Sequence, residues 1–123
     1  MKYISTRSKE KEYSFREVFI KGLADDGGLY VPKSLKKYSK EELLELKNLN
    51  YNELSVDIIS QFSADFISRE ELSSLINKSY STFREKEVVK ISNIGEMKLL
   101  ELFHGPTLAF KDVAMQFLSL IHI

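Results

Sequence analysis

One lysine stands in a setting that could support covalent chemistry. Lys111 is predicted to lie in the first turn of a helix that runs from about Ala109 to the end of the chain. Burial and the positive end of the helix dipole both favour the neutral amine over the ammonium form. A neutral lysine amine is a nucleophile, which Schiff-base formation requires. Asp112 acts in the opposite direction, because a neighbouring carboxylate stabilises a charged amine.

The predicted helix is apolar on almost every side, which is typical of a helix inside a larger fold. Its polar residues fall on one narrow stripe. Most lysines at the start of a helix are solvated or extend from an apolar surface, so the pattern alone makes Lys111 only a candidate. The predicted buried face contains Phe110, Val113, Ala114, Phe117, Leu118 and Ile121. Two further apolar residues, Met115 and Leu120, widen this face. The polar stripe contains Lys111, Asp112, Gln116 and Ser119.

Three other positions carry side chains with chemical potential. His104 either faces the same site as Lys111 or is held in its loop by backbone hydrogen bonds, so the predicted catalytic set contains Lys111 alone. Thr107 is expected to cap the last helix, although its hydroxyl could also reach the site. Asp25 and Asp26 precede two glycines and have no third ligand nearby, so we predict a turn and no metal site.

Composition narrows the possible functions. The 123 residues include 18 basic and 18 acidic side chains, and this balance argues against nucleic-acid binding through a broad basic field. The chain has no cysteine and two histidines, which excludes thiol nucleophiles and a histidine metal cage. No segment reads as a signal peptide or a membrane helix. We expect a soluble, cytoplasmic protein with small molecules or proteins as partners.

The elements ahead of Lys111 predict an α+β fold. Capping boxes pair Ser14 with Glu17, Ser39 with Glu42 and Ser68 with Glu71, and each opens a short helix. Residues 3–6 and 29–31 favour short strands, and Gly22 is a natural end for the first helix. Ile58, Ile59, Phe62 and Phe66 share one stripe, as do Leu72, Leu75, Ile76, Tyr80 and Phe83. Together these segments predict a small helical module with short strands.

A change of pattern follows near residue 85. Residues 88–91 and 97–103 read as two strands joined by residues 93–96, and a break at residues 104–107 precedes the last helix. We therefore predict two domains, at residues 1–84 and 85–123, the second opening with a β-hairpin.

Three segments resemble the threonine synthase family. The nine residues His104 to Asp112, His-Gly-Pro-Thr-Leu-Ala-Phe-Lys-Asp, are similar to the motif around the cofactor lysine of that family, and Glu101-Leu102-Phe103 before them also fits. Residues 2–7 and 22–32 look like the opening of the same proteins, in the same order. The departures are Ser8, where a glycine is common, and Asp25, where proline often occurs. Residues 119–123 look less like the family.

The resemblance implies a pyridoxal 5'-phosphate-dependent carbon–oxygen lyase. In the family, O-phospho-L-homoserine and water become L-threonine and phosphate, and Lys111 stands where the family lysine forms the internal aldimine and afterwards shuttles protons. The fold implied is a helical N-terminal domain, residues 1–84, followed by the start of a larger α/β cofactor domain, residues 85–123, of which the last helix is a buried part. The partner implied is the remainder of that catalytic domain.

Nothing after Lys111 supplies the glycine- or serine-rich loop that a cofactor phosphate needs. We therefore expect a fragment that is inactive alone. Three alternatives remain: a threonine synthase-like phospholyase acting on a related phosphoamino acid, a non-catalytic interaction module built from the N-terminal helices, and a defective fragment that exposes its last helix and aggregates.

Overall fold

Residues 1–121, which the computed structural model describes, form five helices and two small antiparallel sheets, confirming the α+β class. His122 and Ile123 lie outside the described residues, so the predicted run of the last helix to the chain end is followed only to Ile121. No helix within residues 1–121 combines the length and hydropathy needed to cross a bilayer. The elements are β1 Tyr3–Ser5, α1 Phe15–Lys21, β2 Tyr30–Pro32, α2 Lys40–Leu46, α3 Tyr51–Ser63, α4 Arg69–Tyr80, β3 Lys90–Ile94, β4 Met97–Glu101 and α5 Asp112–Ile121.

Four of these helices begin at a complete capping box. In each box the N-cap side chain accepts a hydrogen bond from the backbone three residues on, and a glutamate there accepts from the N-cap backbone. These reciprocal bonds satisfy backbone donors that would otherwise lack partners at a helix start. The boxes are Ser14 with Glu17, Ser39 with Glu42, Asn50 with Glu53 and Ser68 with Glu71, and all three predicted boxes are confirmed.

The hydrophobic core lies where α3, α4 and α5 meet. Leu72 and Ile76 of α4 are completely buried, and their spacing of four residues places them on one face of the helix. Phe117 of α5 packs into the same cluster. The other buried members are Val56, Tyr80 and Val88. The core therefore includes residues from both sides of position 84. No residue of α2 is buried, so of the three consecutive helices in the predicted module only α3 and α4 contribute to it.

The turn around Asp26 is hydrogen bonded to the first strand of the first sheet. The Asp26 carboxylate accepts hydrogen bonds from the Gly28 amide at 2.8 Å and the Ser5 hydroxyl at 2.8 Å. These two bonds hold the pKa of the Asp26 carboxyl below its usual value. A Cβ at position 28 would lie 2.3 Å from the Ser5 hydroxyl, so the close approach requires glycine. The predicted turn is confirmed.

Two predicted segments differ in their detail. Val88 was expected in a strand, but its φ of 61° takes it out of extended structure and its side chain enters the core. The strand therefore begins at Lys90. Phe66 was expected on the α3 stripe, but α3 ends at Ser63, since the chain must turn before the next helix cap at Ser68.

The buried face of α3 is also rotated from the predicted stripe. Val56 and Ser63 are buried and Ile59 packs against the core, whereas Ile58 is 39% exposed. Phe66, beyond the helix, instead packs against the rings of Phe15 and Phe19.

Candidate active-site loop

Lys111 lies at the end of a loop, residues 104–111, that connects the hairpin to α5. The helix begins at Asp112, three residues later than the predicted start near Ala109, so Lys111 directly precedes the first turn and the prediction that it lies within that turn is wrong. The Lys111 carbonyl accepts the first backbone hydrogen bonds of the helix, from Ala114 at 3.1 Å and Met115 at 2.8 Å. Its side chain is exposed, so burial does not act on the amine within residues 1–121. None of the carboxylates in that range lies within 4.0 Å of it.

Asp112 is buried, in contrast to its lysine neighbour, with 3% of its surface exposed. Its carboxylate accepts hydrogen bonds from the Thr107 amide at 2.7 Å, the Thr107 hydroxyl at 2.8 Å and the Gln116 side chain at 3.3 Å. Burial raises the pKa of the Asp112 carboxyl, but the bonds from Thr107 and Gln116 outweigh it, and the net pKa lies below the usual value. Asp112 therefore stays ionised and bonded to the loop.

Thr107 does not cap α5, contrary to expectation. It lies five residues before Asp112, too far to occupy the N-cap position, and its hydroxyl donates to Asp112 instead. This loop doubles back on the helix start, which a hydrogen bond from the Leu108 amide to the Gly105 carbonyl at 3.2 Å reinforces.

His104 pairs with Glu101 at the other end of the loop. Its Nε2 lies 2.7 Å from Glu101 Oε2, and both side chains are largely shielded from solvent. The Ser92 hydroxyl donates to the second carboxylate oxygen, and the bonds from Ser92 and His104 lower the pKa of the Glu101 carboxyl. A backbone hydrogen bond to the His104 carbonyl is observed, as one of the two alternatives expected, and the ring is held in addition by a side chain of β4.

Two further hydrogen bonds tie the loop and the helix to the helical core. The Tyr80 hydroxyl, from α4, donates to the Val113 carbonyl at 2.9 Å, and the Arg84 amide donates to the His104 carbonyl at 2.9 Å. Glu101, Ser92 and Tyr80 were not predicted to act near Lys111. Nothing in their spacing could have identified them, because the hairpin and the packing of α4 on α5 create the contacts.

The predicted burial of α5 is only partly observed within residues 1–121. Phe117 is buried and Ile121 packs against the core. Phe110 is 67% exposed and Met115 is 54% exposed, although both were assigned to the apolar interior. The reason is geometric, since α4 covers only one side of α5. Apolar side chains on other sides of the helix start, such as those of Phe110 and Met115, are therefore left exposed within residues 1–121.

Residues 2–80 match a family model described as the threonine synthase N terminus. The threonine synthase of Schizosaccharomyces pombe is 40% identical over 119 residues, which make up 95% of this chain and 23% of that protein. The PLP-bound threonine synthase from Brucella melitensis superposes with a TM-score of 0.92 at 37% identity, covering 98% of this chain and 26% of that one.

The threonine synthase structure from yeast gives a TM-score of 0.91 at 40% identity, over 98% of this chain and 25% of that chain. The chain therefore spans about a quarter of the length of these proteins. Lys111 lies outside residues 2–80, so the family model itself says nothing about this lysine.

Proposed function

Since the chain belongs to the threonine synthase family, we propose that Lys111 is the residue that holds pyridoxal phosphate. This chain would then be the lysine-bearing part of a longer enzyme. That enzyme would act as a carbon–oxygen lyase that converts O-phospho-L-homoserine and water into L-threonine and phosphate. One observation carries the proposal. An exposed amine with no carboxylate of residues 1–121 within 4.0 Å stands at the end of a loop anchored at both ends.

The residues around Lys111 fit an attachment point for the cofactor aldehyde. An amine that forms an ion pair must lose that pair before it can act as a nucleophile, and Lys111 forms none with the carboxylates of residues 1–121. Its backbone is fixed by the first hydrogen bonds of α5, while its side chain is free to extend into solvent. A fixed backbone with an exposed amine suits a lysine that attaches to one group and then acts on another.

When bound, pyridoxal phosphate supplies an electron sink for negative charge on an amino-acid substrate. The contribution of this chain is the amine. Lys111 would first hold the cofactor, and once released it would remove protons from Cα and Cβ of the substrate and return protons at Cα and Cγ, with phosphate leaving from Cγ and water adding at Cβ. The helix start at Asp112 keeps that amine at one end of α5 throughout.

We place the boundary between an N-terminal domain, residues 1–84, and the start of the cofactor domain, residues 85–123, at the change from helices to hairpin. The relatives are about four times as long as this chain, and the groups that bind the cofactor phosphate and the substrate would come from that additional length. The chain alone is then expected to bind pyridoxal phosphate weakly or not at all and to show no turnover. We also expect it to act in the cytoplasm.

The assignment of Lys111 is tested by a Lys111→Ala change in a protein that carries this sequence at the length of its relatives. We expect loss of the visible absorbance of the bound cofactor and loss of turnover. Lys98→Ala, on the exposed strand β4, is the matched control and should retain both. Turnover at the unchanged rate in Lys111→Ala would show that another group holds the cofactor.

A further inference from the structure

We propose that Asp112 is the positioning residue for Lys111. Its carboxylate fastens the loop ahead of the lysine and, being fully engaged there, forms no ion pair with the lysine amine. The inference rests on the proposed function of Lys111, because only a reacting lysine needs a neighbouring carboxylate directed away from it.

The first support is the way in which the Asp112 carboxylate is used. Both oxygens accept hydrogen bonds, Oδ2 from the Thr107 amide at 2.7 Å and Oδ1 from the Thr107 hydroxyl at 2.8 Å. Gln116, one turn along α5, adds a bond to Oδ1 at 3.3 Å. A buried carboxylate with this many donors is stabilised in its charged form and has little reason to turn towards solvent.

The second support is how tightly the loop lies over Asp112. A Cβ on Gly105 would be 2.4 Å from the Asp112 Cβ, closer than two such atoms can approach. Leu108 is held at a φ of 61°, which is unfavourable for a residue with a side chain, so the surrounding contacts must impose it. The loop is therefore pressed against the aspartate, and a glycine is needed at the point of contact.

The third support is the consequence for charge. Lys111 and Asp112 are adjacent in sequence, yet they do not form an ion pair. An ion pair would favour the ammonium form and reduce the fraction of amine able to react. Thr107 removes this competition by holding the carboxylate in hydrogen bonds to the loop. Sequence alone led to the reverse expectation, that Asp112 works against the reactivity of Lys111.

The test uses the 123-residue chain and needs no cofactor. Competitive acylation with acetic anhydride over a series of pH values, followed by peptide mass spectrometry, gives the rate at Lys111 relative to Lys98 on β4. The variants are Thr107→Val, which removes the hydroxyl at nearly constant volume, Thr107→Ser, which restores it, and Asp112→Asn. Thr82→Val, at an exposed position outside residues 104–111, is the control.

If Asp112 positions Lys111, the rate of acylation at Lys111 should differ between Thr107→Val and Asp112→Asn, although both variants weaken the hydrogen bonding of the loop. In Thr107→Val the aspartate keeps its charge but loses a bond, and its release towards Lys111 should slow acylation there by about threefold, the size expected of an exposed ion pair. In Asp112→Asn no charge is left to pair, so acylation should not slow. Thr107→Ser and Thr82→Val should behave like the unchanged chain.

Amide hydrogen exchange at Thr107, followed by NMR, reports the loop itself. It should speed up in Thr107→Val and Asp112→Asn while amides of α4 stay protected, which shows that both variants remain folded. Equal slowing of Lys111 acylation in both variants, or no slowing in Thr107→Val, would overturn the inference. Either result leaves the assignment of Lys111 untouched, since that assignment depends on cofactor loss in Lys111→Ala.

Discussion

Helix α4 buries most of its large apolar side chains, whereas the hairpin of β3 and β4 leaves its own exposed. Leu72 and Ile76 of α4 are completely buried, whereas Met97 and Ile91 of the hairpin are 70% and 63% exposed. The strands of the hairpin contact chiefly each other, while α4 packs against both α3 and α5. The free energy of folding of residues 1–121 is therefore concentrated in the helices.

The Lys111 loop lies between these two regions and is attached to both. Tyr80 holds the start of α5 to the helical core, and Glu101 holds His104 to the hairpin. The position of Lys111 depends on the stable region through α5, and on the more exposed region through the partly buried pair of Glu101 and His104. Changes in the core should therefore disturb the loop more than changes on the hairpin surface.

The largest effect is expected from Leu72→Ala, which leaves a cavity at the centre of the α3–α4–α5 core. We expect a loss of about 3 kcal/mol in the free energy of unfolding, within the usual range for a buried leucine. Urea unfolding followed by circular dichroism measures it. Met97→Ala is the matched change on the hairpin and should alter stability by less than about 0.5 kcal/mol. Similar losses in the free energy of unfolding in the two variants would show that the hairpin contributes as much to stability as the helical core.

A smaller effect is expected from acid, acting at Asp26 in the turn beside the first sheet and at Asp112 beside the Lys111 loop. The pKa values of Asp26 and Asp112 are both lowered in the folded chain, by the Gly28 amide and Ser5 for the first and by Thr107 and Gln116 for the second, against the effect of burial. Each carboxylate therefore contributes stability that is present above the unfolded value of about 4 and lost as pH falls through the lower folded value.

NMR hydrogen exchange at the Gly28 and Thr107 amides follows the two sites separately. Protection at both should decline below about pH 4, while amides of α4 remain protected to lower pH. Asp25→Asn, at an exposed neighbour, serves as control and should leave both profiles unchanged. Protection at Thr107 that persists in Asp112→Asn would show that the aspartate does not hold the loop.

Local signals predicted much of this fold. The capping boxes at Ser14, Ser39 and Ser68 and the helix end at Gly22 depend on a few adjacent residues, and all are observed. A fourth box, with Asn50, was not predicted, although asparagine is as good an N-cap as serine. The departure of Val88 from its strand could not be predicted, because the core that attracts its side chain is formed by distant helices.

At the site, too, local signals identified a candidate residue, and contacts between distant elements were not predicted. The identity of the loop residues marked Lys111 as the candidate, but the spacing predicted that it lies within the last helix, whereas the helix begins one residue after it, at Asp112. The burial expected of Lys111 is absent within residues 1–121, and the Asp112 carboxylate, which was expected to stabilise the charged lysine, is hydrogen bonded to Thr107. Partners such as Tyr80 depend on which faces of α4 and α5 meet, and no pattern within 123 residues specifies that pairing.

The most direct test of the central claim is borohydride trapping of pyridoxal phosphate followed by peptide mass spectrometry. It should be done on the 123-residue chain and on a protein that carries this sequence at the length of its relatives. We predict a stoichiometric pyridoxyl group on Lys111 in the longer protein and little or none in the shorter chain. A stoichiometric group on Lys111 of the short chain, or on a different lysine of the longer protein, would contradict the account.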